Sequence, residues 1–387
     1  MKPRVLFVDH AAVLGGGELC LLDIAAAVRD RCAVALFEAG PFQAALRGAG
    51  VKVIDINTGD KLKSVKKDSS LPKASAMIAM ARAATRLARA ARDFDVVYAN
   101  SAKSFLASAL AGVIARRPVV WHLHDILDAD HFSGRNLRVV VRAANWRAAR
   151  VIANSQATAD AFVAVGGKRD RVRVVYNGID AAPFDALGPE VRDEVRRSLG
   201  VPVDAFVVGS FSRLHPWKGQ RVLLDALTSL PDVLALVVGG ALFSGEADYK
   251  AEIHARAAEF GGRVRLLGAR PDIPRLMAAC DIVVHTSVLP EPFGRVLVEA
   301  LLAGRPLIAS NAGGVREIAT NDVTALLVPP GDAGRLADAI EALRANPSKA
   351  RKLAAAGNAD MRLRFTREQM IAGVEQVLSE VVARPPS

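Results

Sequence analysis

Short β-branched runs alternate with helix-forming segments along the chain, and the alternation starts twice. The first series is VLFV from Val5, AVALF from Ala33, VKVIDI from Val51, DVVYA from Asp95, PVVWHLH from Pro118, VIANS from Val151 and VRVVYN from Val172. After a looser stretch, NGIDAAPFDALGPE from Asn177, it resumes with FVVGS, VLALVVGG, RVRLLG, DIVVHTS, RPLIAS and ALLVPP. Near-continuous apolar runs separated by helices are the mark of parallel strands buried on both faces. The sequence therefore predicts an α/β protein of two doubly wound, Rossmann-like domains. Their predicted spans are 1–184 and 185–365, and 387 residues, half of them apolar, suffice for two cores. After Asn346 no further strand is expected, only helix.

Charge divides as sharply as the strands do. Residues 1–180 hold 27 Lys and Arg against 16 Asp and Glu, and the remainder holds 24 against 24, so the whole net charge of +11 lies in the first half. It concentrates between Lys61 and Arg92 and between Arg135 and Arg150, the latter without a single acid. Arg82, Arg86 and Arg89 repeat at helical spacing opposite Met77, Met80, Ala84 and Leu87, which predicts a basic amphipathic helix after Pro72. An anionic partner follows, either a membrane surface or a charged acceptor. Nucleic acid is disfavoured, because no aromatic residues interleave these charges and no recognition motif accompanies them.

Cys20, Cys32 and Cys280 show neither metal spacing nor an even disulfide set, which suits a reduced, cytoplasmic compartment. MKPR runs straight into VLFV and leaves no room for a signal peptide. The longest apolar stretch, FLASALAGVIA from Phe105, falls short of the ~18 residues of a membrane span. The expected location is cytoplasmic, with peripheral attachment to the inner face of the plasma membrane as the alternative.

The segment EPFGRVLVEALLAGRP from Glu291 carries the densest chemistry. Pro292 and Gly294 break the chain before an apolar run that stops at Gly304 and Pro306, so a helix is predicted to begin near Gly294. Its first N–H groups, around Gly294 to Leu297, would form an anion site where the helix dipole adds roughly 0.3–1 kcal/mol. Glu291 before the helix and Glu299 inside it would be on the order of 10 Å apart at 1.5 Å per residue. That spacing suits two hydroxylated ends flanking a diphosphate better than a carboxylate dyad.

FSRLHPWKGQ follows the first strand of the second domain and places Arg213 and Lys218 at the carboxyl end of that strand, where open α/β sheets bind ligands. A planar fork and a compact charge together suit a diphosphate whose charge grows as it departs. Gly15, Gly16 and Gly17 after the first strand permit close backbone approach but do not form GxGxxG. WHLHD sets His122, His124 and Asp125 at the end of the fifth strand. Two histidines on one strand face invite a metal reading, disfavoured because no further His or Cys set completes the ligands. Asp128–Asp130 mimics a metal-binding DxD but lacks its context.

The pattern EPFGxxxxEA, with Arg213 and Lys218 upstream, resembles the retaining GT-B glycosyltransferases of family four, which move a sugar from a nucleoside diphosphate to an acceptor. VYANSAKS, VIANSQATA and VYNGID match that family's first-domain landmarks, so the resemblance covers nearly the whole chain. It implies two Rossmann-like domains facing a cleft, with the helix of residues 366–387 completing the first. It assigns Glu291 to sugar hydroxyls, the backbone of Phe293, Gly294, Arg295, Val296 and Leu297 to sugar and phosphates, and Glu299 to the ribose. Arg213 and Lys218 would hold the diphosphate, His124 the donor sugar, Gly16 and Gly17 the diphosphate or acceptor, and Arg270 and Ile273 the base. Glu291, His124, Arg213 and Lys218 would carry catalysis, with no metal or other cofactor.

The partners implied are a nucleotide-sugar donor and a glycan or lipid-linked acceptor, in bacterial polysaccharide, lipopolysaccharide or glycolipid assembly. No side chain offers itself as a carboxylate nucleophile. A front-face displacement, with the departing phosphate taking the acceptor proton, is the mechanism expected. Two rivals share the architecture: a nucleotide-sugar epimerase, and a non-catalytic module that binds sugar nucleotide or membrane.

Overall fold

The computed structural model describes residues 2–11, 13–56, 74–129, 132–241 and 244–383. The chain forms two compact units, residues 1–178 with 367–387, and residues 179–366. Residues 61–73 of the basic stretch, and Asp130 of the DxD-like loop, lie outside the described residues.

The first unit runs β1 (Val5–Asp9), α1 (Gly16–Ala27), β2 (Cys32–Leu36), α2 (Pro41–Gly48), β3 (Val53–Asp55), α3 (Ala74–Ala91) and β4 (Val96–Ala99). It continues through α4 (Ala102–Ala115), β5 (Val119–Leu123), α5 (Gly134–Arg147), β6 (Ala148–Ala153), α6 (Gln156–Ala164) and β7 (Val172–Val174). All seven strands pair in parallel in the order β3-β2-β1-β4-β5-β6-β7. Every residue of β1, β2, β4 and β5 is buried, the outcome the continuous apolar runs require.

One sheet face carries α3, α4 and α5 over a core that includes Leu87, Phe105, Trp121 and Val140. Phe105 stacks on Trp121 with ring centroids 4.8 Å apart. The expected amphipathic helix is α3, but Ala83, Ala84, Leu87 and Ala88 are buried in that core, with Met80 against it. Its apolar side is spent on folding, and Arg82, Arg86 and Arg89 face solvent.

The second unit runs α7 (Ala182–Asp185), α8 (Val191–Ser198), β8 (Phe206–Phe211), α9 (Gln220–Leu227), β9 (Val233–Val238), α10 (Ala247–Ala258) and β10 (Val264–Gly268). There follow α11 (Ile273–Ala278), β11 (Ile282–His285), α12 (Arg295–Leu302), β12 (Leu307–Ser310), α13 (Val315–Ile318), β13 (Leu326–Val328), α14 (Ala333–Ala345) and α15 (Pro347–Arg364). Its six strands are again parallel, in the order β10-β9-β8-β11-β12-β13.

The last helix, α16 (Arg367–Ala383), belongs to the first unit. There Met370, Val374 and Leu378 share a core with Phe7, Leu21 and Tyr98 on the sheet face opposite α3 to α5. Among the described residues no helix is long and apolar enough to cross a membrane.

In both sheets the strand order reverses beside the first strand, between β1 and β4 and again between β8 and β11. Loops leaving the carboxyl ends of such a pair diverge and open a crevice.

Candidate functional site

In the second unit the loops after β8 and β11 are fastened to each other. Val288 N–H donates to Trp217 O at 2.8 Å, and Thr286 Oγ1 donates to Lys218 O at 2.9 Å. Gly219 makes the contact possible: its φ is +69°, and a Cβ there would lie 2.0 Å from Thr286 O.

This places Lys218 against Glu291. Lys218 Nζ donates to Glu291 Oε1 at 2.9 Å and to Oε2 at 2.7 Å. Ser287 Oγ donates to Glu291 Oε2 at 3.0 Å, and His285 Nε2 lies 3.0 Å from the same oxygen. Burial favours a neutral Glu291, but Lys218 and His285 outweigh it and hold the carboxyl well below its usual range. Burial pulls the Lys218 ammonium down even though Glu291 opposes the shift. The pair is thus a buried ion pair in which each charge depends on the other.

Trp217 gathers both cations. Lys218 Nζ sits 3.9 Å from its ring centroid and Arg213 Cζ 5.8 Å from it. Arg213 Nη1 also donates to the buried Glu246 at 2.8 Å. The structure therefore brings Arg213, Lys218 and Glu291 to one place, as the sequence suggested. It adds His285, Ser287, Trp217 and Glu246, which sequence reasoning did not nominate. His285 ends β11, the strand feeding the motif.

Glu291 also leads into the helix. Gly294 has φ +96° and is the cap of α12. The Gly313–Gly314 turn is laid against the motif, with Gly314 N–H donating to Glu291 O at 2.8 Å. A Cβ on Gly313 would fall 2.3 Å from that oxygen. The expected amide cradle is shorter than the sequence implied, because Leu297 N–H already donates to Gly294 O at 3.0 Å. Phe293 is buried edge-to-face on Phe365, with centroids 5.6 Å apart. Val296 is half-buried, and Glu299 pairs with Arg295 across 3.7 Å of α12. Arg270 clasps Asp272 with two hydrogen bonds of 2.8 and 2.7 Å. It lies after the edge strand β10, with Ile273 opening α11.

In the first unit the corresponding crevice is lined by a relay. Asn100, after β4, donates to Asp9 Oδ2 at 2.6 Å and to Gly17 O at 3.1 Å. Its Oδ1 lies 2.9 Å from His124 Nε2. Gly17 is tight here, for a Cβ would come 3.3 Å from the His124 ring. Gly16 begins α1, and Glu18 closes that helix start by accepting the Gly15 N–H at 3.0 Å. Burial, with Asp9 and Asp125 adding repulsion, pushes the Glu18 carboxyl up to about 8. Asn100 was invisible in sequence because its partners, Asp9, Gly17 and His124, come from distant segments of the chain.

His122 departs from expectation. Instead of facing the crevice it is fully buried, with Nδ1 hydrogen-bonded to Tyr98 Oη. Burial drives its pKa down, so the ring is neutral. Its ring lies 3.9 Å from that of His124. Among the described residues Cys20, His122 and His124 form a group whose ligand atoms lie within 4.8 Å of one another. Cys20 Sγ donates within the core to Asn177 Oδ1 and Met370 Sδ.

Two doubly wound units, the second with a buried Lys–Glu pair before a glycine-capped helix, are what this chain shares with known glycosyltransferases. The profile described as glycosyl transferases group 1 matches residues 191–360, and that of the glycosyl transferase 4-like domain matches residues 15–178. The chain belongs to the GT-B glycosyltransferases of family four.

Anabaena Alr3699/HepE, solved in complex with UDP and glucose, is 41% identical. It superposes with a TM-score of 0.90 over 98% of this chain and 100% of its own. It was also solved with UDP-glucose. The D-inositol 3-phosphate glycosyltransferases of Xylanimonas cellulosilytica and Mycolicibacterium smegmatis are 34% and 32% identical, each over 61% of this chain. The match spans 58% and 55% of those two relatives, a little over half their length.

Proposed function

We propose that this protein is a retaining hexosyltransferase that takes its sugar from UDP-glucose or a close analogue and needs no metal ion. The observation that carries the reading is the buried Lys218–Glu291 pair, buttressed by His285 and Ser287 at the start of α12. Support for the donor comes from the 41%-identical Anabaena protein, solved with UDP-glucose.

The chemistry follows from competition for Lys218. A diphosphate offers the ammonium a more concentrated negative charge than one carboxylate does. Drawn toward it, Lys218 releases a Glu291 oxygen, which becomes the acceptor for a sugar hydroxyl, while His285 and Ser287 keep the carboxylate in place. Arg213, aligned over Trp217, adds the second positive charge as the phosphate departs. The departing phosphate takes the acceptor's proton on the same face, so the anomeric configuration is kept. His124, held by Asn100, contacts the sugar. The acceptor is a glycan or lipid-linked glycan of bacterial polysaccharide, lipopolysaccharide or glycolipid assembly.

The test is thermal stabilisation by UDP, GDP, ADP, CDP and dTDP, each with magnesium and with a chelator. It is followed by NMR of the anomer formed from UDP-glucose. UDP alone should stabilise and survive chelation, and an α-linked donor should give an α-linked product. An inverted product would refute retention. A changed donor sugar without any acceptor would point to an epimerase. Glu291→Ala should lower kcat by roughly 10²–10³ while leaving UDP affinity within a few-fold.

A further inference from the structure

The layer formed by α3, α4 and α5 has an outer surface that the donor chemistry does not use. The three helices carry no Asp or Glu at all. Arg82, Arg86 and Arg89 lie on α3, Lys103 on α4, and Arg135, Arg138, Arg142 and Arg147 on α5.

Between the two arginine-bearing helices, α4 is apolar on the outside as well as the inside. Leu110, Val113 and Ile114 stand 43%, 45% and 53% exposed at i, i+3 and i+4 spacing, so they form one stripe. On α5, Val139 is 51% and Trp146 62% exposed, on the stripe that also holds Arg135, Arg138 and Arg142. The carboxyl ends of the helices are drawn together, with Arg147 Nη2 donating to Arg117 O and Arg117 Nη2 to Arg92 O. Among the described residues the nearest carboxylates along the chain, Asp93 and Asp128, lie in loops beyond the helix ends.

From this we infer that the outer face of α3, α4 and α5 is a docking surface for an anionic lipid bilayer. Charge decides among the occupants. A second copy of the chain would set two carboxylate-free arginine faces against each other, with nothing on either to neutralise them. A nucleic acid would satisfy the arginines but cover an apolar ridge with phosphates, desolvating both for no return. A bilayer of anionic lipids satisfies both halves. Leu110, Val113, Ile114 and Val139 enter the acyl boundary, the arginines reach the headgroups, and Trp146 sits at the interface where an amphipathic ring is favoured. The surface lies wholly in the first unit, and the inference goes beyond the transferase reading and does not depend on it.

The experiment is co-sedimentation of the full chain with vesicles of phosphatidylglycerol and phosphatidylethanolamine, and with phosphatidylcholine alone, together with the emission of Trp146 read as the difference from Trp146→Phe. The protein should sediment with the anionic vesicles only, release with added salt, and show a blue-shifted Trp146. Arg138→Glu/Arg142→Glu should weaken partitioning by at least about tenfold, since each cation near an anionic surface is worth roughly a factor of five. Val113→Ser/Ile114→Ser should weaken it as well.

Failure to sediment with anionic vesicles, or equal partitioning by the charge-reversed variant, overturns the inference. So does a concentration-dependent dimer that Val113→Ser/Ile114→Ser abolishes. Stabilisation by UDP, measured on the same samples, separates the two readings: if it persists while vesicle binding is absent, only the surface assignment falls.

Discussion

Replacing Lys218 with Met removes the ammonium and keeps a flexible stem against Trp217. Glu291 then retains Ser287 Oγ and His285 Nε2, both at 3.0 Å, but loses its two contacts of 2.9 and 2.7 Å to Nζ. Breaking one side of a buried ion pair costs about 3–5 kcal/mol, because the surviving charge stays desolvated. For a unit of this size that corresponds to a fall of roughly 6–20 °C in the unfolding midpoint.

The loss should depend on pH. In the native protein the Glu291 carboxyl is held low, so its contribution is complete above the ordinary carboxylate range and is lost only in strong acid. Without Lys218, desolvation dominates and the folded-state pKa rises above the unfolded one. The variant should therefore lose stability as pH rises from about 5 to 8, an interval in which this pair leaves the wild type unchanged. Lys218→Met/Glu291→Gln, which removes both charges, should recover at least half of the deficit. The assay is urea and thermal unfolding of nucleotide-free protein across that pH range, followed by circular dichroism. A single variant that loses less than about 1 kcal/mol, or a double variant no more stable than the sum of the singles, would refute the coupling.

Three further outcomes are expected. Glu18, raised to about 8 from 4.5, favours folding below the unfolded value and loses that contribution as pH climbs toward 8; Glu18→Gln should flatten the decline by about 3–5 kcal/mol, read from unfolding free energies at pH 5 and 8.5. Gly313→Ala forces a Cβ to within 2.3 Å of Glu291 O at a φ of +63°, so it should cost at least about 2 kcal/mol and abolish UDP-dependent stabilisation, as differential scanning fluorimetry would register. Asn100→Ala releases His124 from its 2.9 Å contact; it should lower kcat by about tenfold with the UDP dissociation constant little changed, and a parallel loss of both would contradict a positioning role.

Both sheets were legible because parallel strands are buried on two faces and so write themselves as unbroken apolar runs, from Val5 to Val174 and from Phe206 to Val328. The Glu291 motif was legible because its turn, cap and helix are contiguous. What surrounds Glu291 was not: Lys218 lies 73 residues away in sequence, and no local pattern announces that their loops are tied through Thr286 and Val288. His122 on β5 and His124 just past its end are two residues apart, yet periodicity could not tell that one ends in the core and the other at its edge. The basic helix showed a similar limit. Its two sides were read correctly, but which side met the protein depended on α4. Beyond Lys103 in its first turn that helix carries no charge, and its composition alone would suggest near-complete burial.

The place of α16 has a consequence for how the molecule is made. The chain leaves the first unit at Gly178 and returns at Arg367, and Ile179 and Thr366 are bridged where the two passages meet. The first sheet emerges early in synthesis, but one of its faces, covered only in part by α1 and α2, is not complete until Met370, Val374 and Leu378 arrive after the whole second unit. Order of synthesis and order of completion are thus inverted. During that interval the part of the face over β4 and β6 is open to a crowded solution, the state in which nascent α/β proteins aggregate and chaperones engage.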